Sequence, residues 1–468
     1  MRRFTALWAG QLLSLTGTAL TSFALAVWLY VDTDSVTHLA LNYLMAFVPG
    51  IIVSPWAGAI VDRWSRKRVL VLSDTIGILA TLSLAALYAA GGLEPWHIYV
   101  TTAVRSAMAA FQLPAFGATV AVLVPRHQVS RANGMVLFAQ ALSQVAAPVT
   151  AGFLLTAIDV SGVILLDCAT FVVGVGVLAF IRIPSPRAAE VAPGDGGSLL
   201  GEARVGWRYI LVHPTLRNLM LFYAALNFCV GFVDVLVTPI VIGFGSPAAL
   251  GVVATVAGIG MVAGSAVMTI WGGPGRPGMS IIGMTAALGV GLCVGASRPQ
   301  VVPVCVGAFV FMFSAAIINT NTRSIWTTEA APELQGRVLA LQNMVTTSTL
   351  SVAYLLAGPV AGVFEPLLTD DGPLAGTAGV LFGTGAGRGM ALLLFLIGAV
   401  VVLIALAGMF SRTLRSITRP EPADATPDDA SFGAAGELTS IGTVQVVEGV
   451  PAGNALDEQV DASQLREQ

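Results

Sequence analysis

Charged residues are scarce in this sequence. Aspartate, glutamate, lysine and arginine make up 10% of the 468 residues, and 56% of the residues are hydrophobic, whereas a typical soluble domain is about 25% charged. This composition excludes a soluble globular protein. Lys67 is the only lysine among the 23 basic residues. We interpret that bias as a property of a GC-rich genome, and we expect no nucleic-acid partner.

Motifs for metals, nucleotides and hydrolysis are also missing. The four cysteines lie inside apolar runs without a CxxC pair, so neither a disulfide framework nor a zinc site is predicted. The sequence contains no GxxxxGK[ST] phosphate loop, no HExxH motif and no nucleophile motif. We therefore expect no enzyme activity, no metal and no cofactor, and any transport would use a proton gradient rather than ATP.

Long apolar runs occupy most of the chain. A bilayer-spanning helix needs about 20 mostly apolar residues. The first run, residues 4–30, is longer than the apolar region of a signal peptide and is predicted to be a retained membrane helix. We predict an all-α integral membrane protein with twelve transmembrane helices, near residues 5–30, 37–61, 69–90, 96–123, 131–157, 161–181, 216–242, 247–271, 279–297, 300–322, 336–364 and 388–410.

A polar break rich in Pro, Gly and Asp divides the twelve segments into six and six. A weak repeat supports two related halves, because Val124-Pro125 before Arg131 resembles Ala331-Pro332 before Arg337. From residue 421 onward the chain has ten acids and one base, a composition typical of disorder. We predict an N-terminal half at 1–182, a cytoplasmic linker at 183–214, a C-terminal half at 215–415 and an acidic disordered tail at 416–468.

Basic residues cluster at alternate connections, from Arg2 and Arg3 to the group at 66–68 and the linker. Cytoplasmic loops collect arginine and lysine, so both termini are predicted to be cytoplasmic in a bacterial cytoplasmic membrane. The opposite connections carry mostly acids, with Arg298 and Arg388 as exceptions: Asp32, Asp34, Glu94, Asp159, Glu365, Asp370 and Asp371.

The connection after the second segment has a specific pattern, GxxxDRxxRKR. It comprises Gly58, Asp62, Arg63, Arg66, Lys67 and Arg68. A glycine permits close helix approach, an acid can meet a base or a helix end, and the bases resist translocation. A plain positive-inside loop would need only the bases. The full pattern resembles the signature loop of the major facilitator superfamily, whose fold has two six-helix halves in the same membrane orientation.

The resemblance covers roughly residues 1–415 and is closest to drug exporters of the macrolide-efflux and enterobactin-exporter type. Further patterns that carry it are Phe4 to Gln11 with Gly17, Ser73-Asp74, Phe111 to Ala115, Ala132 to Gly134, and Leu166-Asp167 before Phe171. In that family the loop matching Asp62, Arg63 and Arg66 is implied to latch the cytoplasmic ends of the two halves during alternating access.

The fifth segment is similar to the antiporter motif GxxxGPxxGG of exporting members. Its matching residues are Ser143, Ala147, Pro148, Ala151 and Gly152. Three of the expected glycines are replaced by serine or alanine, which still allow close helix packing. The departure weakens the prediction of antiport over symport.

Ionisable residues inside the segments are candidates for proton coupling, because a charge at bilayer depth is costly and usually meets a partner or a water-filled path. Asp234 lies near the middle of the seventh segment and is the favoured proton or cation acceptor, against a structural hydrogen-bonded acid. Arg105 in the fourth segment resembles the membrane arginine of exporters, or snorkels outward. Asp167 in the sixth segment is more compatible with a structural role.

Polar side chains on the same segments are candidates for lining a substrate cavity, although polar contacts between helices would explain them equally well. On the first helix they fall at helical spacing. The predicted cavity residues are Gln11, Ser14, Thr18, Thr21, Gln112, Asn227 and Asn319.

These features predict a monomeric secondary transporter that exports a small amphipathic drug or a secondary metabolite such as a siderophore, in exchange for protons. Two alternatives stay open. One is an importer of the same fold, a proton symporter for a metabolite, and the other is a membrane sensor or scaffold that docks a partner through its acidic tail.

Overall fold

The computed structural model describes residues 2–181, 199–331 and 334–417, apart from the side chains at positions 2, 3, 58, 59, 62, 63, 121, 126, 130 and 199–203. In these ranges the chain is helical and forms no strand. Its long helices belong to one structural unit, Met1–Arg419. The acidic tail beyond residue 417 and the linker residues 182–198 lie outside the described ranges, so the predicted disorder of the tail stays a prediction.

The described ranges contain twelve long helices, with short connections except after the sixth and the eleventh. Their bounds are α1 (Arg2–Thr33), α2 (Val36–Arg63), α3 (Arg66–Ala89), α4 (Pro95–Leu123), α5 (129–158), α6 (160–180), α7 (Pro214–Phe244), α8 (Pro247–Trp271), α9 (Pro277–Ala296), α10 (Val301–Glu329), α11 (Gln335–Phe364) and α12 (Arg388–Phe410). The linker contributes an amphipathic helix, Leu199–Val212. Short helical turns occur at Arg126–Gln128, Glu365–Leu368, Ala378–Phe382 and Arg412–Arg415.

Helices α5 and α6 are two arms of one helical stretch, Val129–Phe180, which breaks at Asp159. Asp159 has φ 58° and ψ 179°, and aspartate is among the residues that best tolerate a positive φ. An unbroken helix of 52 residues would be about 78 Å long, far more than a bilayer needs. The Asp159 side chain fixes the break, because one carboxylate oxygen accepts from the Val160 N–H and the other from the Tyr88 hydroxyl.

Within the described ranges, ten helices are long and apolar enough to cross a membrane when Arg131–Phe180 is counted once. The break at Asp159 turns that stretch into two crossings. Helix α4 has 29 residues, about 44 Å at 1.5 Å per residue, which is enough for one crossing. The predicted all-α membrane fold is confirmed, and the helices are consistent with the predicted twelve crossings.

Opposite ends of the bundle carry opposite charge. At one end, Leu29 of α1 packs with Leu84, Ile98 and Val160, near the acidic connections. At the other end, Leu7 packs with residues that flank the basic connections. We call these ends the acidic face, with Asp32, Asp34, Glu94, Asp159 and Glu365, and the basic face, with Arg66, Lys67, Arg68 and Arg131.

Helices α1–α6, which we call the N-terminal half, and helices α7–α12, the C-terminal half, touch through small residues on the side of the acidic face. In the α5–α8 contact, a Cβ atom on Gly251 would lie 2.6 Å from the Pro148 carbonyl oxygen, and one on Gly152 would lie 2.9 Å from that of Pro247. In the α2–α11 contact, a Cβ atom on Gly358 would lie 2.8 Å from Thr37 Cα. Such distances leave no room for a side chain, so glycine is what lets the halves close at this end.

Replacing Gly251 with leucine should lower the thermal unfolding midpoint in detergent, because the new side chain would overlap the α5 backbone. Overpacking of this kind costs about 1–3 kcal/mol. The matched control is Gly283→Leu on α9, where a Cβ atom would meet nothing within 4 Å. Equal midpoints for the two variants would show that the α5–α8 contact does not hold the halves together.

Candidate functional site

A cavity of about 600 Å³ lies between the two halves, a size suited to a drug-like molecule. Helices α1, α2, α4 and α5 form one side of it, and α7, α8, α9, α10 and α12 form the other. Its walls are mostly apolar, with side chains such as Phe23, Val241, Leu250, Met261 and Phe311. The polar groups in the wall are Thr18, Thr21, Ser22, Asn42, Tyr43, Thr101, Thr102, Arg105, Ser106, Gln144, Asp234 and Thr238.

Asp234 lies in the wall of this cavity on α7. Its carboxylate accepts a hydrogen bond of 2.9 Å from the hydroxyl of Tyr354 on α11. The Tyr354 ring is stacked on Tyr43 of α2, with ring centroids 5.6 Å apart. No described basic residue forms a salt bridge with Asp234, and among the described residues the Tyr354 hydroxyl is its hydrogen-bond donor.

Arg105 and Asp167 form a buried ion pair. The Arg105 guanidinium donates to the Asp167 carboxylate at 2.9 Å and to the Thr81 hydroxyl at 3.0 Å, and it lies 5.5 Å from the centre of the Phe171 ring. Asp167 is fully buried, while Arg105 is 15% exposed and reaches the cavity wall. A helix at bilayer depth tolerates each of these charges because the other neutralises it.

Gly17 of α1 makes room for the ion pair. A Cβ atom at this position would lie 2.2 Å from the Thr170 hydroxyl and 2.8 Å from the Asp167 carboxylate. The glycine that belongs to the family resemblance thus lets α1 pack directly against the charged part of α6. The three residues predicted for proton coupling therefore lie in two places, with Asp234 on its own and Arg105 joined to Asp167.

Two of the seven predicted cavity residues line the cavity, namely Thr18 and Thr21. The other five lie outside the lining. Ser14 is buried against Gly174 of α6, and Gln11 is half-buried on α1 outside the lining. The spacing on α1 was informative, but only the part of that stripe nearer the acidic face reaches the cavity.

The remaining predicted cavity residues are engaged in local hydrogen bonds. Gln112 donates to Asp74 at 2.6 Å, Asn227 donates to the Tyr223 carbonyl at 2.7 Å, and Asn319 accepts from the Tyr223 hydroxyl. None of these residues is in the cavity lining. Asn227 lies seven residues before Asp234, so the two residues share a face of α7. The distance between them along the helix axis places Asn227 outside the cavity lining.

Tyr43 and Tyr354 were not predicted from the sequence, nor was Asn42, which accepts a 2.8 Å hydrogen bond from Thr102 in the cavity wall. The sequence does carry one signal for Tyr354, because this large side chain lies between the small residues Ala353 and Gly358 of α11. A lone tyrosine on such a face indicates a hydroxyl that needs a buried partner.

The signature loop holds three helices together on the basic face. Arg66 donates to the Ala118 carbonyl of α4 at 2.9 Å, and Lys67 donates to the Ala179 and Ile181 carbonyls at the end of α6. Cations at a helix C-terminus satisfy its free carbonyls and complement its dipole. Arg68 is exposed, and the side chains of the remaining predicted latch residues, Gly58, Asp62 and Arg63, lie outside the described part.

Residues of the antiporter-like motif contact α1 on one side of α5 and α8 on the other. Ala147 and Ala151 are fully buried in a cluster with Leu20 and Ala24 of α1, and the Ser143 hydroxyl lies 3.0 Å from that of Thr16. Pro148 and Gly152 face α8 at the closed contact between the halves. The alanines that replace the expected glycines therefore point into the N-terminal half, where a methyl group fits.

Replacing Asp167 with asparagine should destabilise the protein, because Arg105 would keep its charge without a counterion. Breaking a buried pair typically costs about 3–5 kcal/mol, and unfolding in detergent would measure it. The control is Asp74→Asn, which removes a buried carboxylate whose partner is Gln112 and which forms no salt bridge with a described base. A midpoint for Asp167→Asn as high as that of the control would contradict the structural role of the pair.

Comparison with known proteins agrees with this architecture. Residues 7–354 match the model of the Major Facilitator Superfamily. Macrolide efflux protein A of Streptococcus pyogenes is 24% identical over 368 residues, which cover 76% of this chain and 88% of that protein. Macrolide efflux protein A of Enterococcus faecalis is 23% identical over 322 residues, covering 66% of this chain and 96% of that protein.

Solved structures show the same fold at lower identity. The nucleoside transporter NupG superposes with a TM-score of 0.64 at 13% identity, over 88% of this chain and all of that chain. A bacterial homologue of the iron transporter ferroportin, in an inward-facing state, gives a TM-score of 0.61 at 16% identity, over 89% of this chain and 99% of that one. The chain belongs to the major facilitator superfamily and is a multi-pass membrane transporter.

Proposed function

We propose that this protein exports an amphipathic, positively charged small molecule from a bacterial cell in exchange for protons. The observation that carries the proposal is the drug-sized cavity between the halves, whose wall holds the carboxylate of Asp234 without a basic partner among the described residues. The macrolide efflux proteins to which the chain is similar support drug efflux as its role.

The charge on the two faces supports one orientation of the protein in the membrane. Basic connections stay on the cytoplasmic side of a membrane, so the basic face is cytoplasmic, both termini are cytoplasmic and the acidic face is external. The close contacts of α5 with α8 and of α2 with α11 lie toward the external face. The protein is thus in a state closed to the outside, in which a cytoplasmic substrate would load, and it would work as a monomer.

Asp234 would serve both the substrate and the proton. An ionised carboxylate in an apolar wall is costly unless a positive charge neutralises it. A substrate cation and a proton would therefore compete for the Asp234 carboxylate. The rocking of the two halves about a site near the bilayer midplane would then expose Asp234 to each side in turn. Cation release to the outside and proton uptake from it become one exchange.

The charge of the cavity favours cations over anions. Arg105 also reaches the wall, but its charge is matched by Asp167 at 2.9 Å, which leaves Asp234 as the unmatched charge among the described lining residues. An anionic siderophore would face this carboxylate with no free cation beside it. A lipophilic amine is the better fit, because its ring system meets the apolar wall while its nitrogen meets Asp234.

Replacing Asp234 with asparagine should abolish proton-driven transport and leave the protein folded. The measurement is substrate-dependent proton flux in proteoliposomes with a panel of lipophilic amines, macrolides and siderophores. The control Asp74→Asn removes a buried acid outside the cavity lining and should keep at least half of the flux. Full activity in Asp234→Asn would remove this residue from the mechanism.

Two other functions have distinct signatures in the same preparation. An importer of the same fold would accumulate substrate in right-side-out vesicles, whereas the exporter accumulates it in inverted ones. A sensor or scaffold would lose its activity when residues 421–468 are deleted, whereas a transporter should retain its flux without them.

A further inference from the structure

Tyr354 joins the acid of one half to the aromatic surface of the other. Its side chain is 1% exposed, and its hydroxyl donates to Asp234 within the C-terminal half. Its ring contacts Tyr43 and Phe47 of α2 in the N-terminal half, with centroids 5.6 Å and 5.9 Å apart. The hydrogen bond therefore fixes the ring orientation that meets α2, one turn from the Thr37–Gly358 contact that closes the external face.

We propose that Tyr354 is a positioning residue that keeps the external face closed while Asp234 carries neither a proton nor a substrate. This inference rests on the proposed function and adds a coupling element to it. A hydrogen bond to an ionised carboxylate is about twice as strong as one between neutral groups. Protonation of Asp234 weakens that bond, and a bound cation competes for the same carboxylate, so either ligand loosens the contact of Tyr354 with α2.

This behaviour is what an antiporter needs. Exchange requires that the carrier reorients with a proton or with a substrate and does not reorient empty, because an empty return would let protons leak down their gradient. The bond between Tyr354 and the ionised Asp234 stabilises only the empty, externally closed state. It thereby disfavours the one transition that would uncouple the two fluxes.

Few other ionisable groups in the described part of the chain can take over this role. Among the residues that line the cavity with Asp234, the titratable or charged ones are Tyr43 on α2 and Arg105 on α4. Arg105 is held by Asp167 and Thr81. Tyr43 is hydrogen-bonded to Thr238 and stacks on the Tyr354 ring without bonding its hydroxyl, so Asp234 is the group whose protonation changes the contact.

The test is the proton leak of Tyr354→Phe in proteoliposomes that contain no substrate, under an imposed pH gradient. The phenylalanine ring keeps the packing on Tyr43 and Phe47 but cannot donate to Asp234. We expect a leak roughly tenfold above that of the unaltered protein, the size of effect that follows from losing a hydrogen bond to a charged group. Exchange of labelled substrate for unlabelled substrate should persist, whereas accumulation against a gradient should fall.

Three variants make the result specific. Tyr223→Phe also removes a tyrosine hydroxyl on a C-terminal-half helix, but one that bonds Asn319 rather than Asp234, and it should not leak. Adding Asp234→Asn to Tyr354→Phe should abolish the leak, because the leaking proton binds Asp234. Tyr43→Leu should leak as well, since it removes the ring on which Tyr354 stacks, and it provides a second test if Tyr354→Phe folds poorly.

A tightly coupled Tyr354→Phe variant, or a leak that persists in the double variant, would overturn the positioning role. The failure of the proposed function would look different, because Asp234→Asn alone would then retain substrate-driven proton flux. If Asp234→Asn loses that flux while Tyr354→Phe stays coupled, Asp234 remains the proton site and the role assigned to Tyr354 is wrong.

Discussion

The cost of a charge at bilayer depth is the constraint on which this structure depends. An ionisable side chain in a membrane helix needs a partner or a path to water, and the protein meets that need in two ways. Arg105 and Asp167 neutralise each other within the N-terminal half, whereas Asp234 is left against the cavity with a tyrosine hydroxyl as its donor. The first arrangement stabilises one half, and the second leaves a carboxylate in the cavity wall.

The same distinction explains why the two halves are not chemically equivalent. The N-terminal half has an internal ion pair and the Arg66 and Lys67 contacts that hold α3, α4 and α6 together. Asp234, on the C-terminal half, connects through Tyr354 to Tyr43 across the contact between the halves. In the proposed mechanism, this titratable contact between the halves is what couples protonation to movement.

The sequence predicted the fold well because membrane helices leave a strong and local signal. Long apolar segments with few charges were sufficient to predict an all-α membrane protein, and the signature loop pointed to its superfamily. The cavity was harder, because a polar residue on a membrane helix looks the same in sequence whether it faces a cavity or a neighbouring helix. Thr18 and Thr21 reach the cavity while Ser14 packs on α6 and Gln112 bonds Asp74. Partners such as Tyr354, 120 positions from Asp234, could be found only from the three-dimensional arrangement.

The most direct test of this account is whether substrate binding displaces a proton from Asp234. Purified protein in weakly buffered detergent solution can be titrated with a lipophilic cation that it transports, while a pH indicator records proton release. The account predicts release in the unaltered protein at a pH where Asp234 is protonated, and no release in Asp234→Asn. Binding without proton release at any pH would contradict the claim that the substrate and the proton share this carboxylate.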